Sequence, residues 1–125
     1  MIKVRPIQTK EEQQRICALC GVEFNADMLA YAASVDDRLA GVCQFKLTDK
    51  GGILTDIAPT LDHCDNEALF VMGRGALNFI DLCGVHFAVF TGTCDELLLR
   101  KIGFKQGDDG IWSVNLEGFF TDHCH

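Results

Sequence analysis

A chain of 125 residues, 48 % of them apolar and 23 % charged, has the make-up of one globular domain spanning 1–125 with a core of its own. Its net charge of −7 excludes a nucleic-acid partner that needs a basic surface and argues against docking to anionic lipid. No apolar run approaches the roughly 20 residues of a membrane span, and the opening Met-Ile-Lys-Val-Arg-Pro has no signal-peptide core. Seven cysteines without an export signal point to free thiols in a reducing cytoplasm, and the odd count prevents complete internal pairing.

Ile2 to Ile7 alternates apolar and polar residues, which predicts a strand. Thr9 stands three residues before Glu12, a capping-box spacing, so a helix should run to Leu19 or Cys20 and end at Gly21. Asn25 to Leu29 reads as a short second helix. Tyr31 to Val35 and Leu39 to Leu47 read as strands joined by an Asp36-Asp37 turn, and Ile53 to Ala58 as a further strand. A long helix should cover Asn66 to Cys83. Its polar residues Glu67, Arg74, Asn78 and Asp81 lie near one face, and almost everything else on it is apolar, so it should be packed on most sides. Gly73 and Gly75 inside it each cost about 1 kcal/mol relative to alanine, which predicts close packing against another backbone. Val85 to Phe90 reads as a buried strand, Asp95 to Ile102 as a short helix closed by Gly103, and Phe104 to Gln106 and Ile111 to Leu116 as a hairpin turned at Asp108-Asp109-Gly110. The mixed connections place the chain in the α/β or α+β class, with one long crossover helix between neighbouring strands.

The junction "PTLDHCDNEALF", from Pro59 to Phe70, carries a strand into the N-terminus of the long helix, a place where many folds hold a phosphate. Asp62, Asp65 and Glu67 crowd it instead. Asp62 or Asp65 can serve as the N-cap and Glu67 can sit in the first turn. Cys17-Ala18-Leu19-Cys20 reads as two core thiols on one helix face, with metal binding and redox chemistry as the alternatives. The tail Thr121-Asp122-His123-Cys124-His125 carries soft and imidazole ligands that could make a transient metal contact with His63 and Cys64, but no ordered metal site is expected. His86 reads as a hydrogen-bonded histidine of the core or a sheet face. Phe119 and Phe120 read as packing over a sheet edge or against a second chain, which would make a homodimer.

This element order, with Leu98-Leu99-Arg100-Lys101-Ile102-Gly103-Phe104 after the second crossover strand, resembles the GNAT superfamily of acyl-CoA N-acyltransferases. The strand His86-Phe87-Ala88-Val89-Phe90 and Ala58-Pro59 fit the same pattern. The resemblance implies a three-layer α+β domain: a mixed, mostly antiparallel sheet, a long crossover helix and a splayed parallel strand pair. It implies acyl transfer from acetyl-CoA or another acyl-CoA to a small amine. It places the coenzyme at Ile57, Asp62, Asp65, Asn66 and Glu67, where the family has an Arg/Gln-x-x-Gly-x-Gly/Ala loop that is missing here. It also sets Leu99 where the family has a tyrosine that protonates the leaving thiolate. Cys94 is the nearest substitute in sequence, at a helix start that would favour its thiolate, against the plainer reading of a small or half-buried cysteine. Asp56, with Thr55 beside it, is a candidate base, against the plainer reading of a strand-end turn residue.

A diphosphate at this junction would meet like charge. Two unit charges 4 Å apart repel by about 1 kcal/mol in water and by roughly 4 kcal/mol at an effective dielectric of 20. Micromolar affinity is about 8 kcal/mol, so a few such terms and the missing glycine donors could cancel it. The expectation is therefore an N-acetyltransferase-like protein, atypical or degenerate at the coenzyme loop and the general acid. The alternative is a non-catalytic module that binds a small ligand or a protein on the same fold.

Overall fold

The computed structural model describes residues 1–120. The sequence Ile2-Lys3-Val4-Arg5-Pro6 forms β1 (Ile2–Pro6), and α1 (Lys10–Leu19) follows. Thr9 caps α1 by accepting from the Glu12 amide at 3.1 Å. Only half of the capping box forms, because the Glu12 carboxylate turns to the Arg5 guanidinium at 3.0 and 3.3 Å. β2 (Leu29–Val35), β3 (Arg38–Thr48) and β4 (Gly51–Pro59) come next. The β2–β3 turn places Asp36 and Asp37 at φ 49° and 68°, the left-handed pair of a tight hairpin, which short polar side chains tolerate. After β4 come α2 (Asn66–Leu82), β5 (Phe87–Phe90), α3 (Glu96–Ile102), β6 (Lys105–Gln106) and β7 (Trp112–Asn115).

The seven strands form one sheet in the order β1-β2-β3-β4-β5-β7-β6. Every pairing is antiparallel except β4 with β5. Strand residues alternate between faces, so two cores form. On one face Ile16 and Cys17 of α1 pack on Ala30, Ala32 and Val42. On the other, α2 and α3 bury Leu69, Met72, Leu77, Ile80, Leu98 and Ile102 against Cys43, Phe45, Leu54 and Ile57. Burying one large apolar side chain contributes about 1.5–3 kcal/mol, which outweighs the glycines within α2. No helix among the described residues is long and apolar enough to cross a membrane.

Three local expectations are corrected. Asn25 to Leu29 is not a helix. The Asn25 side chain accepts from the Asp27 amide at 3.0 Å, the Met28 amide closes a turn on the Asn25 carbonyl at 3.1 Å, and Leu29 is taken by β2, opposite Phe45. His86 is not in a strand or a core: it precedes β5, half exposed, with Nδ1 2.6 Å from Asp81 Oδ1. Gly73 meets a side chain and not a backbone, since a Cβ there would lie 2.7 Å from Ile102 Cδ1. Phe119 packs inward on Gly103 and on Arg74, whose guanidinium carbon is 4.9 Å from the ring centre. Arg74 also donates to the Ile102 carbonyl at 2.6 Å, tying α2 to the end of α3. The His/Cys tail lies outside the described residues.

The two helix glycines are therefore separable. A Cβ on Gly75 would meet only Val4 and Tyr31, at 3.6 Å and beyond. Gly75→Ala should raise stability by about 0.5–1 kcal/mol in urea denaturation, while Gly73→Ala should gain nothing or lose stability.

Candidate functional site

β4 and β5 run together for only three residue pairs, Gly52 with Ala88, Ile53 with Val89 and Leu54 with Phe90. The last bond between them is from the Thr91 amide to the Leu54 carbonyl, 2.9 Å. Beyond it, Asp56 to Pro59 of β4 pair on one side only, with β3. Gly92 closes the apex of this fork: a Cβ there would lie 2.0 Å from the Thr55 carbonyl oxygen, so only glycine fits.

The fork coincides with a slip in the β3–β4 ladder. Gln44 faces Asp56 and Phe45 faces Leu54, which leaves Thr55 as an extra residue, a β-bulge. The bulge breaks the alternation of faces. Leu54 and Ile57, three apart, both enter the core under α2, while Ala58 packs on the α1 side. Asp56 is thereby kept out of the α2 core and joins Gln44. Its Oδ2 accepts from Gln44 Nε2 at 2.7 Å and from Thr55 Oγ1 at 2.8 Å. Gln44 is fully buried and hydrogen-bonded to Gln13 Nε2 at 2.9 Å, so α1, β3 and β4 meet in one polar cluster.

The junction into α2 is folded on itself. The Leu61 amide donates to the Leu19 carbonyl at 3.0 Å, and the Thr60 hydroxyl donates to the His63 carbonyl at 3.1 Å. Asp65 is the N-cap of α2: its carboxylate accepts from the Ala68 amide at 3.1 Å and its carbonyl from the Leu69 amide at 3.1 Å. Asp62, the other N-cap candidate, instead sits 3.4 Å from Arg38 as an exposed ion pair, a contact that adds little stability. Asn66 and Glu67 are exposed on the first turn, where Asn66 Oδ1 accepts from the Cys64 thiol at 3.3 Å. Ile57 is 3 % exposed with its side chain in the core, so only its backbone can serve the fork.

No protein-family model and no curated protein matches the sequence. Solved structures do match. The ribosomal-protein-S18-alanine N-acetyltransferase from Escherichia coli is similar over 93 % of this chain and 94 % of its own, with a TM-score of 0.70 at 12 % identity. A GNAT family acetyltransferase from Brucella melitensis, solved with acetyl-CoA, gives 0.69 at 14 % identity over 92 % of this chain and 88 % of its own. The N-acetylglutamate synthase from Neisseria gonorrhoeae, solved with coenzyme A and L-arginine, gives 0.74 at 13 % identity over 92 % of this chain, which spans 33 % of the synthase chain. The chain has the GNAT fold.

On the GNAT fold the two catalytic candidates fall on opposite sides of the fork. Asp56 lies on the α1 side, whereas Cys94 packs against the core under α2 and α3. The expectation of a thiolate at Cys94 is corrected. The residue precedes the Asp95 N-cap and lies outside α3, and burial pushes its thiol pKa up, partly offset by a hydrogen bond from the Asp95 backbone. Burial therefore disfavours the Cys94 thiolate. Leu99 is 1 % exposed within the core. Cys17 and Cys20 are both buried in the α1-side core as free thiols. Among the described residues, no group of three or more His, Cys, Asp and Glu residues could hold a metal ion.

The polar cluster was missed at the sequence level, although it left a trace. Gln44 interrupts the apolar run Gly41-Val42-Cys43-Gln44-Phe45, and Gln13 stands three and four residues before Ile16 and Cys17, on the buried face of α1.

Burial raises the thiols of Cys17 to about 11 and Cys20 to about 12, and pushes Cys43 up further, with the Asp56 charge adding to the effect at Cys17 and Cys43. All three start from an ordinary value of 9.0. Above about pH 9 the unfolded chain sheds thiol protons that the folded chain retains, so stability is complete below that pH and falls as pH rises. Urea midpoints measured from pH 8 to 11 should hold level up to about pH 9 and then decline, less steeply in Cys43→Ala.

Proposed function

We propose that the protein is a GNAT-type N-acyltransferase that passes an acyl group from a CoA thioester to a small amine and holds the donor at the strand fork. The observation that carries this reading is Asp56. The bulge delivers its carboxylate to the fork on the α1 side and anchors it there through Oδ2. Support also comes from the fold's solved neighbours, several of which contain acetyl-CoA or coenzyme A.

The residues fit the two ends of such a donor differently. The one-sided edge of β4 from Asp56 to Pro59 offers backbone donors and acceptors to the amides of a pantetheine arm. The α2 N-terminus does not fit a diphosphate, because Asp65 occupies the Ala68 amide and brings a negative charge to the same place. When bound, the coenzyme supplies the acyl group as an activated thioester. Asp56 takes one proton from the incoming ammonium and leaves a nucleophilic amine. On the other side of the sheet the Cys94 thiol would protonate the leaving thiolate and be restored by the proton that the nitrogen sheds as the amide forms, while Asp56 releases the proton it took to solvent. A general base of this kind contributes about 10²–10⁴-fold.

The test is thiol release from acetyl-CoA and longer acyl-CoAs in the presence of polyamines, amino acids, amino sugars and peptide N-termini. Turnover with at least one amine, reduced about 100-fold or more in Asp56→Asn, is the expected result. Thiol release no faster than in buffer for every pair, with no thermal shift by any thioester, would contradict it. That outcome would favour a non-catalytic binding module, the reading to which the capped α2 terminus already points.

A further inference from the structure

Gln44 is buried on a central strand, and its amide makes four hydrogen bonds. Oε1 accepts from Gln13 Nε2 at 2.9 Å and from the Asn25 amide at 3.1 Å. Nε2 donates to the Glu23 carbonyl at 2.8 Å and to Asp56 Oδ2 at 2.7 Å. Two donors on one end and two acceptors on the other allow a single orientation, since a flipped amide would set N–H groups against N–H groups. Gln13, 2 % exposed, is fixed in the same sense. Its Oε1 accepts from the Lys10 ammonium at 3.0 Å, and its Nε2 donates to the Asn25 carbonyl at 3.2 Å as well as to Gln44. Lys10 is held in turn by the Met28 carbonyl. Donor to acceptor, the chain runs from the Lys10 ammonium through Gln13 and Gln44 to Asp56. Aligned amide dipoles polarise one another, and each link stiffens the next.

The carboxylate is held at one oxygen only. Both donors fall on Oδ2, and Oδ1 takes no hydrogen bond from the described residues. No fully buried side-chain oxygen or nitrogen among these residues lacks a partner, so Oδ1 is not fully buried. A carboxylate pinned at one oxygen and free at the other presents one acceptor in one direction.

We infer that Gln44, braced by Gln13, is a positioning residue that fixes Asp56 through Oδ2 and leaves Oδ1 as its one acceptor for the ammonium group of the substrate. The inference rests on the acyltransferase reading, and it requires a polar group on β3 that packing alone does not demand.

Two measurements separate it from a purely structural role and from failure of the acyltransferase reading. In steady-state assays with an accepted amine, Gln44→Met should lower kcat about 10- to 100-fold with the amine KM within about twofold, because the base remains but no longer points one way. Gln13→Met leaves the Gln44 contact to Asp56 in place and should give a smaller loss of the same kind. It also serves as the readout if Gln44→Met does not fold. Equal kcat in wild type and folded Gln44→Met, or a loss confined to KM, would overturn the inference. Independently of turnover, the Gln44 side-chain NH2 pair in a ¹⁵N NMR spectrum should exchange slowly with water and shift in Asp56→Asn. A pair that exchanges rapidly and ignores that substitution would overturn it even if the enzyme is active.

Discussion

Thr55 has no opposite number on β3, and the consequences of that slip reach every part of the site. Without it, Asp56 would share a face with Leu54 and lie under α2, where a carboxylate would need a charged partner or lose its charge. With it, Leu54 and Ile57 both fill the α2 core, and Asp56 turns to the α1 side and meets Gln44. The same stretch is where β5 leaves β4. The Thr55 carbonyl lies so close to Gly92 that no side chain fits, and beyond this contact the strands go separate ways. One additional residue thus opens the sheet, places a carboxylate at the opening and leaves a strand edge unpaired beside it.

The other end of the site is closed by ordinary helix chemistry. A helix N-terminus attracts anions because its first amides lack partners. Here Asp65 satisfies the Ala68 amide with its carboxylate and brings a negative charge to the first turn. A donor held here would be recognised near its thioester, by backbone at the fork, with little discrimination exerted on its nucleotide.

Much of this was legible in the chain. The alternation of β1, the strand-like runs of β2 to β4, the Thr9 cap and the stop at Gly103 placed the elements nearly as found, and their order carried the resemblance to the GNAT fold. Asp56 and Asp65 were visible as carboxylates at a strand and a helix start. What was hidden depended on contacts between distant segments. Asn25 to Leu29 has helix-compatible residues, but pairing of Leu29 with Phe45 outweighs that weak local preference. Gly73 reveals its reason only when Ile102 is laid over it. The reach of Gln44 to Gln13, 31 positions earlier, cannot be read from spacing. Even so, a glutamine within Val42-Cys43-Gln44-Phe45 was a signal, since a polar group in a buried strand requires partners.

On the proposed reading the fork, and not the helix terminus, holds the donor. Isothermal titration with acetyl-CoA and with S-acetylpantetheine, which lacks the nucleotide and all three phosphates, compares the two ends directly. Affinities within about threefold of one another are expected. Acetyl-CoA binding about 100-fold more tightly, a difference of about 2.7 kcal/mol, would show that the nucleotide end is held after all and would contradict it.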